Sequence, residues 1–549
     1  MEEDIMNRLS LGVAEFNGLI EQNKIYVDKT RFIKKMMDQG RKYYFLSRPR
    51  RFGKTLLVST FENFFKGNKK LFKDTYIYDN WDWSEKYPVL RISMNNLLSS
   101  SLEELKEDIL LMVENIAKKN NIELSERGSY VLKFNELIEG LSKLSSTNEI
   151  VVLIDEYDAP ITDNITNTKV ADENREILQN FYNVLKNAEK YIKFVFVTGI
   201  SKFTKTSVFS KFNNLTELSL HDEYSTICGI THEELKKYYK DHIQFMAREN
   251  NYTYEETLEK FDFFYDGYSW DGVNNVFNPN STLRALDEKK FLSFWFSTGT
   301  PGFIAEIFKK RKITENYFKP TVLKATELDA IDPDNINGTA LLFQSGYLTI
   351  EKKIFKNNIM EYCLRIPNFE VEQAYKDNLT NIYLCDVKDE FDNLQKDMWD
   401  WIRNGDCDKL AKKLKIKLSR LPLTLRLSKE NTEKWKLYSA IFLTWLDEMG
   451  MRIDGEKTIS HGIIDTVLEE NDDHIAIVEI KYSENPNKSL NSLINESFKQ
   501  IHEKEYYLPY EDSDVSLIAL AFKDRQIKNG TITDVKCKIE KWNQKECFK

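Results

Sequence analysis

A glycine, a lysine and a threonine stand together at Gly53-Lys54-Thr55, between a short apolar run and a stretch with helical periodicity. In a turn that joins a strand to a helix, backbone N–H groups and the helix dipole favour a bound phosphate. The lysine would reach the β- and γ-phosphates, and the threonine hydroxyl would ligate Mg²⁺. We therefore predict a nucleotide site, with an ordinary surface turn as the alternative. Its contacts would come from Arg51, Phe52, Gly53, Lys54, Thr55 and Leu56.

Three arginines surround the start of this turn: Arg48, Arg50 and Arg51. Such a cluster is usually a solvated basic turn, and it would also attract the negative charge of a polyphosphate. Arg48 replaces the leading glycine of the common pattern, and Pro49 has no N–H to donate. The first part of the loop is therefore expected to differ from the usual geometry.

Two carboxylates, Asp155 and Glu156, end an apolar run further along the chain, and Thr198 ends the next run. The carboxyl ends of parallel strands face the crevice in which open sheets bind ligands. Asp155 would hold Mg²⁺ together with Thr55, and Glu156 would orient an attacking water. Thr198 would sense the terminal phosphate or cap a turn. We predict an ATP and Mg²⁺ site, with a solvated strand end as the alternative for the two carboxylates.

Three charged residues near the C-terminus, Asp465, Glu479 and Lys481, belong to two runs with alternating apolar residues. In an antiparallel hairpin centred on Asp472, Asp465 lies opposite Glu479 on one face, with Cβ atoms about 5 Å apart. Lys481 points to the same side. Two carboxylates this close repel unless a divalent cation lies between them, and oxygen ligands suit Mg²⁺ or Mn²⁺.

This hairpin predicts a site in which Asp465 and Glu479 hold the metal and Lys481 orients or polarises a water for attack on a phosphodiester. The alternative is an amphipathic hairpin with a charged outer face. Two flanking helices offer further polar groups, Gln500 downstream and, as the less specific of the two, Glu433 upstream. We include Gln500 among the catalytic residues.

Apolar runs that alternate with amphipathic stretches in the first third of the chain predict an α/β domain with a mainly parallel sheet. Its strands are predicted at 43–46, 89–94, 150–154 and 194–197, and its helices at 56–65, 101–118 and 173–187. The middle of the chain suggests a hairpin at 340–352 and a lysine-rich helix at 409–417. The last part predicts helices at 431–449 and 493–506 and strands at 462–468, 475–480 and 516–522.

Length and composition limit the remaining classes. A chain of 549 residues holds several domains, and 41% hydrophobic residues are sufficient for packed cores. The net charge of −9 gives no overall attraction to a polyanion, so nucleic-acid contacts must be local. Six scattered cysteines show no zinc spacing and favour a reduced compartment. Without a basic, apolar leader or a long apolar run, we expect a cytoplasmic protein with no membrane partner.

Many segments, taken in order, resemble the AAA-ATPase-like family whose members carry a C-terminal domain of the PD-(D/E)XK nuclease superfamily. The matching segments are 26–30, 48–55, 153–160, 198–203, 212–215, 265–268, 278–279, 298–299, 344–349 and 366–368. Gly462-Ile463-Ile464-Asp465 resembles the family's G-R-A-D, with Ile463 in place of the basic residue. Glu479-Ile480-Lys481 resembles E-F-K, and Gln500 with Tyr506 resembles the helix that follows.

The resemblance implies an α/β protein with a P-loop NTPase core, a winged-helix-like appendage and a C-terminal restriction-endonuclease-like domain. We divide the chain into an ATPase domain (1–220), a winged-helix-like or helical appendage (221–300), a connecting mixed region (301–425) and a nuclease-like domain (426–549). The first hypothesis is an ATPase that controls a Mg²⁺- or Mn²⁺-dependent nuclease acting on DNA or RNA. The alternatives are a nucleotide-switched scaffold with a silent nuclease fold and a regulatory ATPase that assembles into a homo-oligomer.

Overall fold

The computed structural model describes residues 8–542 except 166, 203–214, 296–320, 329–336, 357, 376–393, 420–437, 440–441, 444, 447–450, 460–461, 471–473, 511–512 and 528–529. The chain divides into two compact units. The N-terminal unit comprises Met1–Ile307 and Pro320–Ala374, and the C-terminal unit comprises Phe308–Lys319 and Tyr375–Lys549. The finer division at 220, 300 and 425 stays a prediction.

The N-terminal unit contains a five-stranded sheet, and all its strand pairs are parallel. Its strands are β1 (Tyr43–Ser47), β2 (Val89–Ser93), β3 (Ile150–Asp155), β4 (Ile192–Gly199) and β5 (Thr216–Glu217). The order β2-β3-β4-β1-β5 places β4 between β1 and β3. Every residue of β1 and β3 is buried, which fits strands that are covered on both faces. The predicted parallel sheet is confirmed.

Two helices precede β1, and the others lie between β1 and β4. They are α1 (Phe16–Glu21), α2 (Thr30–Gln39), α3 (Lys54–Phe65), α4 (Leu102–Lys119), α5 (Tyr130–Ser142), α6 (Ala159–Thr162) and α7 (Thr168–Asn187). Serines cap two of them: Ser101 accepts from the N–H of Glu104 at the start of α4, and Ser129 caps α5 in the same way. The crossovers from β1 to β2, from β2 to β3 and from β3 to β4 each contain a helix, the usual connection between parallel strands.

Four helices follow in the described part of 221–295: α8 (His232–Tyr238), α9 (Lys240–Glu249), α10 (Tyr254–Tyr265) and α11 (Pro279–Glu288). Capping boxes start α8 and α10, at Thr231 with Glu234 and at Thr253 with Glu256. The apolar core of these helices includes Leu9 and Ile25, so the N-terminal segment packs against them.

The predicted hairpin at 340–352 is wrong in its first half. After β6 (Thr321–Lys324) and α12 (Ala325–Leu328), the residues 338–345 form helix α13 (Gly338–Ser345) and not the first strand of a hairpin. Asn337 caps the helix, accepting from two N–H groups, and its residues 339–345 are buried. The hairpin is formed instead by β7 (Thr349–Lys356) and β8 (Ile359–Arg365), in a sheet of order β6-β8-β7.

The C-terminal unit is built around a mixed five-stranded sheet. Its elements are α14 (Leu394–Asn404), α15 (Cys407–Ser419), β9 (Arg452–Ile459), β10 (Gly462–Glu470), β11 (His474–Ser483), α16 (Leu490–Glu503), β12 (Asp514–Ile527) and β13 (Gly530–Trp542). The strand order is β13-β12-β11-β10-β9, in which only the β11–β12 pair is parallel. One apolar cluster joins α14 and α15 to the sheet, and another joins α16 to it.

Most predicted elements of this unit are present, and two strands were missed. The predicted strands at 462–468, 475–480 and 516–522 correspond to β10, β11 and β12. The strands β9 and β13 were missed because charged residues interrupt their apolar pattern. Most of the predicted helix 431–449 lies outside the described residues. Among the described helices of the whole chain, none combines the length and apolar character needed to cross a bilayer.

Candidate functional sites

The glycine-lysine-threonine turn joins β1 to α3, as predicted. Lys54 is the first residue of the helix, is 6% exposed, and donates to the carbonyl oxygens of Arg48 and Pro49, each at 2.9 Å. Burial lowers the pKa of Lys54, and the nearby Asp155 and Glu156 oppose that shift. Arg51 (φ 69°) and Gly53 (φ 89°) have positive φ values. The chain therefore bends later in this turn than in a loop whose first residue is glycine.

A cavity of about 510 Å³ opens beside this turn. All six predicted contact residues, Arg51 through Leu56, line it, and Glu156 lies on its wall. Apolar residues of the N-terminal segment, the 227–230 turn and α11 also line the cavity: Ile25, Val27, Ile227, Ile230 and Leu283. The polar groups of the turn, the apolar residues on the wall and this volume suit a nucleoside triphosphate.

The two carboxylates after β3 differ in their surroundings. Asp155 is 3% exposed and accepts a hydrogen bond of 2.5 Å from the hydroxyl of Thr198, the second-last residue of the neighbouring β4. Thr198 is fully buried, and its hydrogen bond fixes the position of the Asp155 carboxylate. Glu156 has φ +52°, a conformation that a non-glycine residue rarely adopts and that is often found at functional sites. Burial raises the pKa of Glu156, and the positive charge of Lys54 opposes this shift.

A third carboxylate near this site, Asp158, was not predicted. It is 1% exposed and accepts from the backbone N–H groups of Ile200 and Ser201, the latter at 2.7 Å. Burial raises the pKa of Asp158 to about 6, although these N–H groups oppose the shift. A Cβ on Gly199 would lie 2.6 Å from Asp158 Oδ1 and from the ring of Tyr157, so only glycine fits there. The acidic turn after β3 and the turn after β4 are thus locked together.

Arg48 corrects the prediction of a solvated arginine cluster. It is 1% exposed, and its guanidinium lies 4.0 Å from the ring centroid of Trp270. It donates to the carbonyl oxygens of Ser47 (2.9 Å), Ser219 (2.8 Å) and Tyr224 (3.3 Å). Burial lowers the pKa of Arg48 to about 10. Arg48 is therefore a buried support beneath the phosphate turn.

A buried ion pair, of which only the lysine lines the cavity, was also missed by sequence reasoning. Lys29 is 7% exposed and donates to both carboxylate oxygens of Glu234, at 2.7 and 2.8 Å, and to the carbonyl of Thr226. Burial lowers the pKa of Lys29, and Glu234 opposes this. The pair links the segment before α2 to the start of α8. The sequence signal was the 26–30 segment, which we noted only as part of the resemblance.

In the C-terminal unit, β10 and β11 pair in the predicted register. The paired residues end at Thr466 and Val478, and Asp465 and Glu479 are the next residue of each strand beyond that pair. Asp465 Oδ2 accepts from the backbone N–H of Ile480 at 2.7 Å. The predicted centre of the hairpin, at Asp472, lies outside the described residues.

Glu479 is the most deeply buried member of this cluster. It is 0% exposed, and its Oε2 has no hydrogen-bond partner among the described residues. Burial, with the charge of Asp465, raises the pKa of Glu479 to about 7, while Lys481 opposes the shift. A buried carboxylate oxygen without a partner is costly, and a cation would satisfy it.

Two carboxylates fit Mg²⁺ or Mn²⁺, because Mg²⁺ commonly takes only one or two protein carboxylates and completes its shell with water and phosphate oxygens. No group of three or more His, Cys, Asp or Glu side chains that could hold a metal occurs among the described residues. At this site, Asp465 and Glu479 are the two residues that would hold the ion.

Lys481 links Glu479 to helix α16. Its Nζ donates to Glu479 Oε1 and to Gln500 Oε1, both at 2.6 Å. The other end of the Gln500 amide donates to the hydroxyl of Tyr506 at 3.1 Å. The structure therefore brings together the four predicted residues of this site and adds Tyr506. Glu433 lies outside the described residues.

Comparison with known proteins agrees with this description. Residues 10–209 match the family described as "Predicted AAA-ATPase", and residues 433–531 match the PD-(D/E)XK nuclease superfamily. The chain is 30% identical over 478 residues to a protein of Azotobacter chroococcum mcd 1 described as "Uncharacterized protein in vnfD 5'region", covering 87% of this chain and 90% of that protein. The chain therefore belongs to the AAA-ATPase-like family and carries a domain of the PD-(D/E)XK nuclease superfamily.

Proposed function

We propose that the protein binds and hydrolyses ATP in its N-terminal unit, cleaves phosphodiesters of DNA or RNA in its C-terminal unit, and uses nucleotide occupancy to control cleavage. The observation that carries the nuclease assignment is the buried Oε2 of Glu479, which has no hydrogen-bond partner in the described part of the chain and lies beside Asp465 and Lys481. The ATPase assignment is supported by the cavity that joins the Lys54 turn to Glu156.

In the ATPase, Lys54 would exchange the carbonyls of Arg48 and Pro49 for phosphate oxygens, while N–H groups of the turn bind the same phosphates. Thr55 and Asp155 would hold Mg²⁺, which supplies charge neutralisation between the phosphates. Glu156 would orient the attacking water, and its raised pKa suits it to accept a proton.

In the nuclease, Asp465 and Glu479 would hold the divalent cation, which supplies an activated water and stabilises charge that grows on the phosphodiester. Lys481 is held within reach of the site by Gln500, so its ammonium can orient the water or the phosphate. Gln500 is in turn fixed by Tyr506. These contacts position the lysine without help from the substrate.

The nuclease is tested with the full chain in Mg²⁺ or Mn²⁺, on single- and double-stranded DNA and RNA. We expect Asp465→Asn to lower cleavage at least about 100-fold, more than loss of an outer contact to a metal site costs. Asp514→Asn is the matched control, because Asp514 is exposed at the start of β12. Equal cleavage by wild type and Asp465→Asn would reject the assignment.

Nucleotide control is tested separately. ATP should change the cleavage rate of the wild type and of Lys66→Ala, a control at the far end of α3, but not that of Lys54→Ala. Glu156→Gln should bind ATP and fail to hydrolyse it. If ATP changes cleavage equally in Lys54→Ala and wild type, the coupling is wrong, whereas the nuclease assignment stands.

The second candidate is a nucleotide-switched scaffold with a silent nuclease fold, which binds nucleic acid or protein and cleaves no phosphodiester. Ile463 favours the protein-binding form of this scaffold, because a basic residue at this position of the motif would contact the phosphate backbone of a nucleic acid and isoleucine cannot. Retention of intact nucleic acid in Mn²⁺, measured beside the cleavage assay, would support this candidate.

A further inference from the structure

Two thiols meet in the C-terminal unit, where α15 packs against β13. Cys407 is the first residue of α15 and is half-buried, whereas Cys537 is 6% exposed in the core. Their side chains are hydrogen-bond partners, and both belong to the apolar cluster between α15 and the sheet. We propose that Cys407 and Cys537 are a redox-active dithiol, which hydroperoxides convert into an intrachain disulfide.

The surroundings distinguish the two sulfurs. The thiol of Cys537 and the backbone N–H groups of Cys407 and Ile539 hydrogen-bond to the sulfur of Cys407 and lower its pKa to about 7. The same contact, together with burial, raises the pKa of Cys537, so Cys537 keeps its proton and donates it. The position of Cys407 at a helix N-terminus favours its thiolate as well. Cys407, the more accessible of the two, is therefore the nucleophile.

The reaction balances with a hydroperoxide as the only co-reactant. The Cys407 thiolate attacks one peroxide oxygen, the O–O bond breaks, and the leaving oxygen takes a proton to give water or an alcohol. The Cys407 sulfenic acid is then attacked by the sulfur of Cys537, which loses its proton as the S–S bond forms and water leaves. Two thiols are oxidised, and one peroxide is reduced. A dithiol reductant reverses the change.

The disulfide would join α15 to β13, the edge strand of the sheet. Cys537 lies opposite Leu520 of β12, and Leu520 lies opposite Ile480 of β11. Ile480 is the residue whose N–H holds Asp465. A row of the sheet thus runs from Cys537 through Leu520 to Ile480, the residue next to Glu479. The proposal does not depend on nuclease activity, because its products are detected on the cysteines themselves.

The test treats the reduced full chain with a small excess of hydrogen peroxide, alkylates the remaining thiols and maps the peptides by mass spectrometry. We expect one peptide pair linked through Cys407 and Cys537, with a mass two hydrogens lower, that dithiothreitol separates. Cys407→Ser should abolish this link, and the control Cys228→Ser, in the other unit, should retain it. Mapping also separates these cysteines from Cys385 and Cys547.

A second variant keeps the test valid if Cys407→Ser fails to fold, and it also tests the order of the two steps. In Cys537→Ala the attack on the sulfenic acid cannot occur, so dimedone should label Cys407 more strongly than in the wild type. Two outcomes would overturn the proposal. One is that both thiols survive a tenfold excess of peroxide; the other is that Cys407 is oxidised without a link to Cys537 in the wild type.

Discussion

The replacement Arg48→Met tests whether the buried arginine supports the phosphate turn. Methionine keeps most of the apolar volume against Trp270, and it removes the charge and every donor of the guanidinium. The carbonyl oxygens of Ser47, Ser219 and Tyr224 would lose a charged hydrogen-bond donor. We therefore expect a less stable N-terminal unit even without nucleotide.

The expected change in the free energy of unfolding is the sum of contributions of opposite sign. A hydrogen bond to a charged group contributes about 1.5–3 kcal/mol, and a desolvated cation–π contact about 2 kcal/mol. The buried guanidinium also costs several kcal/mol of desolvation, which the substitution removes. We expect a net loss of about 2–4 kcal/mol. In a unit of this size, that corresponds to a fall in Tm of roughly 3–6 °C.

The assay is thermal unfolding of the full chain, followed by fluorescence, with Arg50→Met as the matched control. Arg50 is partly exposed on the cavity wall, so its replacement should change Tm by less than about 1 °C. An unchanged Tm in Arg48→Met would refute the structural role. So would the reverse pattern, in which only Arg50→Met unfolds early.

Three further predictions concern single residues. Gly199→Ala should destabilise the N-terminal unit by about 1–3 kcal/mol in denaturant unfolding, since its Cβ would clash with Asp158. Burial raises the pKa of Glu370 to about 8. The protonated side chain therefore stabilises the folded protein at low pH, and its contribution to the free energy of unfolding falls as pH rises from about 4.5 toward 8. Glu370→Gln should therefore gain stability relative to wild type by about 2–3 kcal/mol between pH 5 and 7, and an unchanged difference would contradict this. Lys481→Ala should abolish cleavage but tighten Mn²⁺ binding, measured by calorimetry. The control Lys536→Ala should leave both cleavage and Mn²⁺ affinity unchanged.

The two site motifs were predictable because each depends on short-range rules. The strand-turn-helix around Lys54 is local in sequence, and the alternation of β10 and β11 fixes which face each carboxylate occupies. A slip of one residue would have moved Asp465 to the other face of the sheet. Apolar side chains on both strands prevent such a slip, so the register could be read from the sequence.

The missed features depend on contacts between segments far apart in the chain. Nothing around Arg48 indicates that Trp270 will cover it, and nothing around Asp158 indicates that the turn after β4 will supply its donors. A charged residue in a turn is usually solvated, and burial of such a residue is decided by partners from elsewhere. The helix at 338–345 was mistaken for a strand because its residues are buried nearly all round and show no helical alternation.

The opposite signs expected for Lys481→Ala follow from a comparison of the two lysines. Lys54 bonds to backbone carbonyls, so a phosphate can take its ammonium without competing with a carboxylate. Lys481 instead bonds to Glu479, the residue that would hold the cation, so lysine and cation compete for the charge of one carboxylate. Removing Lys481 ends this competition and strengthens cation binding, yet it also removes the group that orients the water. If Lys481→Ala weakened both binding and cleavage, the lysine would be a support for Glu479 and not a participant in the reaction.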